Sequence, residues 1–259
     1  MQDKQKQNIH LKTMITLLDY ILESILSSTH TGKVGIDEEL KKYRLDPDKV
    51  TLNADGTIDY DGNINMSHYQ FTKLPLKFRK VNGYFHIAGN NLTSLDGCPE
   101  EVNGDFFCDH NKLTNLIGGP KQVGGHFLCY NNKLTTLDGA PDLVEYDFDC
   151  SNNNITNLDY CPKVVKGTFD CSYNQLTNLK GGPEQVGRDY VCIQNKLTSL
   201  EGSPEDVGGN YDCSCNQLTS LVGLPKKIHD KLYCYENPCK FTKEDVLKVC
   251  KINKQKIYH

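Results

Sequence analysis

Between Tyr60 and Asn237 the hydrophobic and polar positions recur with a step of 21 residues. In the stretch V-x-G-x-F-x-C they alternate, Val102, Gly104, Phe106 and Cys108 falling on one side and Asn103, Asp105, Phe107 and Asp109 on the other, which predicts a half-buried strand. Asn111 follows three residues after Cys108, where the chain must turn and stacked Asn side chains can satisfy backbone groups that the bend leaves unpaired. Leu113 and Leu116 return to the core, Gly118 and Pro120 turn the chain again, and Val123 opens the next strand. The same words return as Phe127, Cys129, Asn132, Leu134, Leu137, Gly139, Pro141 and Val144. Proline falls at 99, 120, 141, 162, 183, 204 and 225, and cysteine at 108, 129, 150, 171, 192, 213 and 234, so no insertion breaks the register. Fixed self-similarity of this kind predicts a β-rich solenoid. Carried backwards, the register places Tyr60, Gly62, Ile64 and Met66 in an earlier unit. Nine rungs, at about 4.8 Å each, predict a parallel sheet roughly 40 Å long.

The flanks follow other patterns. Residues 9–28 carry apolar side chains at helical spacing, residues 27–35 are a polar breaker, and 36–45 fits a second short helix ending before Asp46-Pro47. Residues 1–50 are therefore either a helical cap on the first rung or a tethering module, and the reading leaves both open. Asn53-Ala54-Asp55-Gly56 is the turn that enters an array over 51–239. Over 240–259, Thr242 and Asp245 form a capping box and Phe241 and Val246 a hydrophobic staple, predicting a short capping helix from Lys243 to about Ile252 with a basic tail.

The core F-x-C-x-x-N-x-L-T-x-L resembles the L-x-L-x-x-N-x-L of leucine-rich repeats, with Phe or Tyr and Cys in place of two strand leucines. The short unit, with Pro and Gly where longer versions place a helix, resembles the leucine-rich repeats of secreted bacterial effectors and the arrays of large tailed bacteriophages. The resemblance spans residues 60–237 and implies a recognition scaffold whose concave face binds a partner. Ile155 replaces a leucine, Tyr146 and Tyr160 replace glycines, and Tyr69 stands at the first Asn place. Effector ligases of similar repeat type carry a large C-terminal catalytic domain, whereas only about 20 residues follow this array, which argues against that activity.

Charge and cysteine content narrow the class further. Net charge is −4, and from Tyr60 to Asn237 there are 21 Asp and Glu against 15 Lys and Arg, so the array is acidic and a nucleic-acid partner is not expected. After Asn237 come six Lys and two acids. The most apolar stretch, Met14 to Leu26, is broken by Asp19, Glu23 and Ser24, so no membrane span is expected and the default compartment is the cytoplasm, that of the host if the chain is phage-encoded. Of 12 cysteines, seven share one repeat position, which reads as a ladder of small buried hydrophobes ahead of disulfides or metal ligands. No cofactor motif is present: neither a phosphate-binding loop nor a nucleophile elbow nor a zinc-binding His-Glu pair occurs.

Function should lie in the outward strand positions. Tyr84, His86, Phe107, Leu128 and Tyr130, flanked by His110 and His126, place large groups on a face that a purely structural role leaves polar. Asp147, Asp149, Asp170, Asp189 and Asp212 form an acidic stripe beyond them. The aromatic group reads either as a binding hot spot or as ordinary cross-strand packing. The stripe reads as a solvated face, a docking stripe for a basic partner, a Ca²⁺ or Mg²⁺ site, or a carboxylate pair for glycoside hydrolysis at Asp149 and Asp170. The leading expectation is a non-enzymatic scaffold binding a protein partner, with a glycan-acting enzyme and a virion structural component as alternatives. Oligomeric state is not legible in the pattern.

Overall fold

The structure is a computed structural model and describes residues 38–259, so the helix expected over 9–28 and the start of the one expected over 36–45 lie outside the described residues. The chain divides into two compact units, Met1–Lys49 and Val50–His259. In the first, residues 38–42 are helical and a short 3-10 turn spans Pro47–Lys49.

In the second unit the 21-residue step becomes a parallel β-solenoid. Val102 pairs with Val123 and Phe106 with Phe127, and every later rung up to Leu232–Tyr233 repeats the same offset. Each rung supplies two strands where the alternation predicted one. Glu101–Val102 joins a first ten-stranded sheet and Phe106–Phe107 a second. Between them the backbone bends, and the glycine place read as core-facing opens outwards: Tyr146 holds it 54% exposed, and Arg188 holds it exposed. The bend is stabilised across rungs. Asp105 accepts the amide of His126, Asp147 that of Thr168 and Asp189 that of Asn210. Each of these carboxylates sits over a glycine of the next rung, where a Cβ on Gly125, Gly167 or Gly209 would lie 2.1 to 2.2 Å from the carboxylate oxygen. Asp and Gly are thus a matched pair 20 residues apart, invisible to an alternation rule.

The interior consists of columns. Val102, Phe106, Cys108, Leu113 and Leu116 are at most 1% exposed, as are nearly all their counterparts. The aromatic column stacks from Phe85 through Phe106, Phe127, Phe148 and Phe169 to Tyr190 and Tyr211, with ring centroids 5.1 to 6.1 Å apart. The thiols beside it are free, and those of Cys129, Cys150, Cys171, Cys192 and Cys213 donate to carbonyls of the next rung at 3.3 to 3.5 Å. Met66 and Ile87 fill the cysteine place in the first two rungs, which shows that the column requires volume and apolarity.

Asparagine closes each turn. Asn174 donates to the carbonyls of Cys150, Cys171 and Ser172, while its oxygen accepts the amide of Ile155. The same contacts to the preceding rung are made at 90, 111, 132, 153, 195, 216 and 237. The residue before the asparagine is left-handed throughout: Gly89 once, and otherwise His110, Asn131, Asn152, Tyr173, Gln194, Cys215 and Glu236, with φ of 51 to 57°.

Both ends of the array differ from simple repetition. Val50–Leu52 pairs antiparallel with Ile58–Tyr60 through the Asn53–Gly56 turn, giving the first sheet an antiparallel edge that the repeat pattern does not contain. At the other end the capping box forms as expected, Thr242 and Asp245 bonding reciprocally, with Phe241 and Val246 buried. The helix stops at Val249, short of Ile252, because Cys250 is already extended. Lys251 then bridges to Lys227, and Ile257–Tyr258 pairs with Leu232–Tyr233. The tail thereby adds a tenth rung.

Two consequences are measurable. Removing the side chain in Asn174→Ala leaves several buried backbone groups unpaired, so urea unfolding should show a loss of about 3 kcal/mol or more, and the Ile155 amide should exchange faster. The Tyr211 hydroxyl bonds Ser203 at 2.7 Å, whereas the Tyr190 hydroxyl has no partner among the described residues. Gly182 stands one repeat before Ser203, and a Cβ there would lie 3.4 Å from the Tyr190 hydroxyl, but also 3.0 Å from the Leu179 carbonyl and 3.1 Å from a Leu158 methyl. Gly182→Ser should therefore gain a hydrogen bond to Tyr190 against some crowding, so its effect on stability should be more favourable by about 1 kcal/mol with Tyr190 present than in a Tyr190→Phe background.

Candidate functional site on the outer row of the second sheet

The two-residue strands of the second sheet each bury the first residue and expose part of the second. In register, the second residues form one row: Asn65, His86, Phe107, Leu128, Asp149, Asp170, Val191, Asp212, Tyr233 and Tyr258. Neighbours in such a row are about 4.8 Å apart along the stacking direction. His86, Phe107 and Leu128 are consecutive and half-buried, with the His86 and Phe107 rings edge to face at 5.1 Å. Tyr130 lies beside the row, its ring edge to face with His110 at 5.2 Å. Tyr84 sits at the bend, with its amide donating to Asn63, and so stands outside the row.

The acidic stripe separates into two sets with different work. Asp147 and Asp189 belong to the bend, where their carboxylates hold backbone amides and, for Asp147, the His126 imidazole at 3.1 Å. Asp149, Asp170 and Asp212 stand in the outer row. One oxygen of each accepts the amide of Ser151, Ser172 or Ser214 at 2.8 to 3.0 Å. No Lys, Arg or His forms an ion pair with these three among the described residues. Asp149 and Asp170 are direct cross-strand partners. Burial, opposed by Ser151 and reinforced by Asp170, raises the Asp149 carboxyl to about 6. Burial raises Asp170 and Asp212 as well, and it lowers His86.

The set of positions in repeat with Asp109, read as outward, is divided: Tyr130 and Ile193 are half-buried and Tyr235 is exposed, but most of its small or acidic members turn inward. Asp109, Ser151, Ser172 and Ser214 are buried, because the chain is already curling into the asparagine turn at that point. Two surface features escaped the sequence reading. Tyr258 joins the row and stacks on Tyr233 at 5.0 Å, but it lies in the tail, outside the repeat. The first sheet has its own outer row, Glu101, Gln122, Leu143, Val164, Gln185 and Asp206, which borders two surface hollows. Recognising that a rung holds two strands would have exposed it.

For metal or nucleophile chemistry the arrangement offers little. No group of three His, Cys, Asp or Glu side chains among the described residues is placed to hold a metal ion. Burial pushes the thiols of the core column up, which keeps them protonated. No helix among the described residues is long and apolar enough to cross a membrane. No protein-family model matches the chain, and no curated protein matches it.

The elevated Asp149 carboxyl has a pH signature. Its folded value of about 6 exceeds the ordinary Asp value of about 3.9 in an unfolded chain, so folding disfavours the ionised form. The resulting destabilisation is full above about pH 6 and disappears below about pH 4. Asp149→Asn keeps an acceptor for Ser151 while removing the charge. It should stabilise the fold by about 2 kcal/mol at pH 7.5, and the difference from wild type should vanish near pH 4 in denaturation series.

Proposed function

We propose that the protein is a non-enzymatic recognition scaffold that binds a protein partner through the outer row of its second sheet. The observation that carries this reading is the run His86, Phe107 and Leu128, three large half-exposed side chains on consecutive in-register strands, ending directly on Asp149 and Asp170. Contiguous apolar groups bordered by unneutralised acids suit a desolvated anchor with an electrostatic rim. The leucine-rich-repeat character rests on the repeat wording and is supported by the asparagine turn. A phage accessory or host-directed role follows by analogy from the resemblance of the unit to phage arrays. A cytoplasmic location is part of the same proposal.

A second reading has its own observation. Asp149, with its carboxyl raised to about 6, and Asp170, raised by burial as well, are cross-strand neighbours, and a close carboxyl pair with one member able to hold a proton in mild acid suits general acid catalysis on a glycan. Cleavage of polysaccharides that is abolished by Asp149→Asn with Asp170→Asn would favour this enzyme over the scaffold.

The scaffold is tested by Phe107→Ala combined with Leu128→Ala. Both residues are half-exposed, so the thermal midpoint should stay within a few degrees of wild type. Affinity for a partner identified by pulldown with the wild-type chain should fall at least about tenfold by titration calorimetry, and undiminished affinity would remove the row from the interface.

A further inference from the structure

Resting on the scaffold reading above, we infer that the row selects a basic amphipathic segment of its partner: a large apolar side chain seated on Phe107 and Leu128, and an arginine bridging Asp149 and Asp170. Three observations lead there. The row passes from apolar to acidic between Leu128 and Asp149, which are paired in register, so the Phe107–Leu128 pair abuts the Asp149–Asp170 pair before Val191 interrupts the acids. Asp149 and Asp170 are fixed, since each carboxylate is held by the amide and the hydroxyl of a serine two residues on, and no cationic side chain among the described residues bonds either. Finally, both carboxyls are half-buried and no side chain of the described residues answers their charge, a cost that an incoming cation removes.

The geometry favours arginine over lysine. Two single acceptors on adjacent strands, about 4.8 Å apart, match the forked donors of one planar guanidinium, whereas an ammonium acts as a point charge. The midpoint of Phe107 and Leu128 lies two rungs, about 10 Å, from that of Asp149 and Asp170. In the partner, the arginine therefore follows or precedes the apolar anchor by about three residues if the segment is extended, or by about six or seven if it is helical.

Other occupants fit less well. Nucleic acid is repelled by the carboxylates. A metal ion lacks a third converging ligand among the described residues. A second copy would bring an array with excess acid against the same stripe, and in the basic tail Lys248, Lys254 and Lys256 already pair with Asp245, Glu244 and Asp230.

The test is selection of displayed random peptides, about 15 residues long so that a helix spans the row, against the full chain, followed by titration of synthetic versions. Enriched peptides should share a large apolar residue and an arginine at one of the two spacings. Their affinity should fall at least about tenfold for Asp149→Asn with Asp170→Asn, for Arg→Lys in the peptide, and on raising salt from 50 to about 500 mM. Asparagine keeps an acceptor for the serine amides, and a thermal midpoint at or above that of wild type would confirm that the fold is intact. No enrichment, or a neutral or acidic consensus, overturns the inference. Peptides that need Phe107 but ignore Asp149 and Asp170 would refute the cation while leaving the scaffold standing, and peptides indifferent to both would refute the two together. Self-association in sedimentation that is abolished by the Asp changes would assign the row to a second copy, and Ca²⁺ or Mg²⁺ alone binding to the row in calorimetry would assign it to a metal; either overturns the inference.

Discussion

The amide of Asn174 reaches the carbonyls of Cys150 in the rung before and Cys171 in its own, while its oxygen takes the amide of Ile155, and this bridging contact sets the terms for the rest of the array. One side chain closes the turn of its own rung and locks it to its neighbour. The distances involved tolerate no change in loop length, because an inserted residue would carry the amide away from carbonyls that are buried and have no water to replace it. An array built on this contact must keep its period, and 21 is kept from the first complete rung to the last. Tyr69 takes the asparagine place only in the first rung, where no repeat precedes it to be bridged.

The contact also imposes a backbone cost. To aim the asparagine inward, the preceding residue adopts left-handed φ, a region that disfavours a side chain by about 1 kcal/mol or more. Glycine meets this requirement at residue 89, yet Tyr173, Gln194, Cys215 and Glu236 occupy the same place. The four hydrogen bonds of a buried asparagine outweigh one strained dihedral, so the chemistry of the turn overrides local preference. The side chains at those places point out of the turn, where they remain free to vary.

This explains which parts of the fold were legible. The period, the core columns of Phe106, Cys108, Leu113 and Leu116, the asparagine turn and the capping box at Thr242 all follow from residue types that admit one reading. The split of each rung into two sheets does not, because V-x-G-x-F-x-C alternates as a single strand would, and only the exposure of Tyr146 and Arg188 at the glycine place betrays the bend. The same ambiguity placed Asp147 and Asp149 in one acidic stripe. Two residues apart on a straight strand they share a face; across a bend, one holds a backbone amide and the other faces outwards. Tyr258 was illegible for a different reason, since it completes the row from a segment with no repeat to announce it.

The two roles of aspartate define what the array is free to change. Asp105, Asp147 and Asp189 are matched to Gly125, Gly167 and Gly209 of the following rungs, so altering either partner disturbs the stacking. Asp149, Asp170 and Asp212 occupy a place where other rungs carry His86, Phe107, Leu128, Val191 and Tyr233, all with the same backbone pairing. A position that accepts an imidazole, a phenyl ring, an isobutyl group and a carboxylate without altering the ladder contributes little to folding specificity. Three half-buried carboxylates without cations even oppose folding at neutral pH, since burial raises each of them. A sequence shaped by stability alone would place serine or threonine there. Charge on three rungs at a place that the fold leaves free, next to apolar side chains that the core does not use, is the physical argument for recognition at this row.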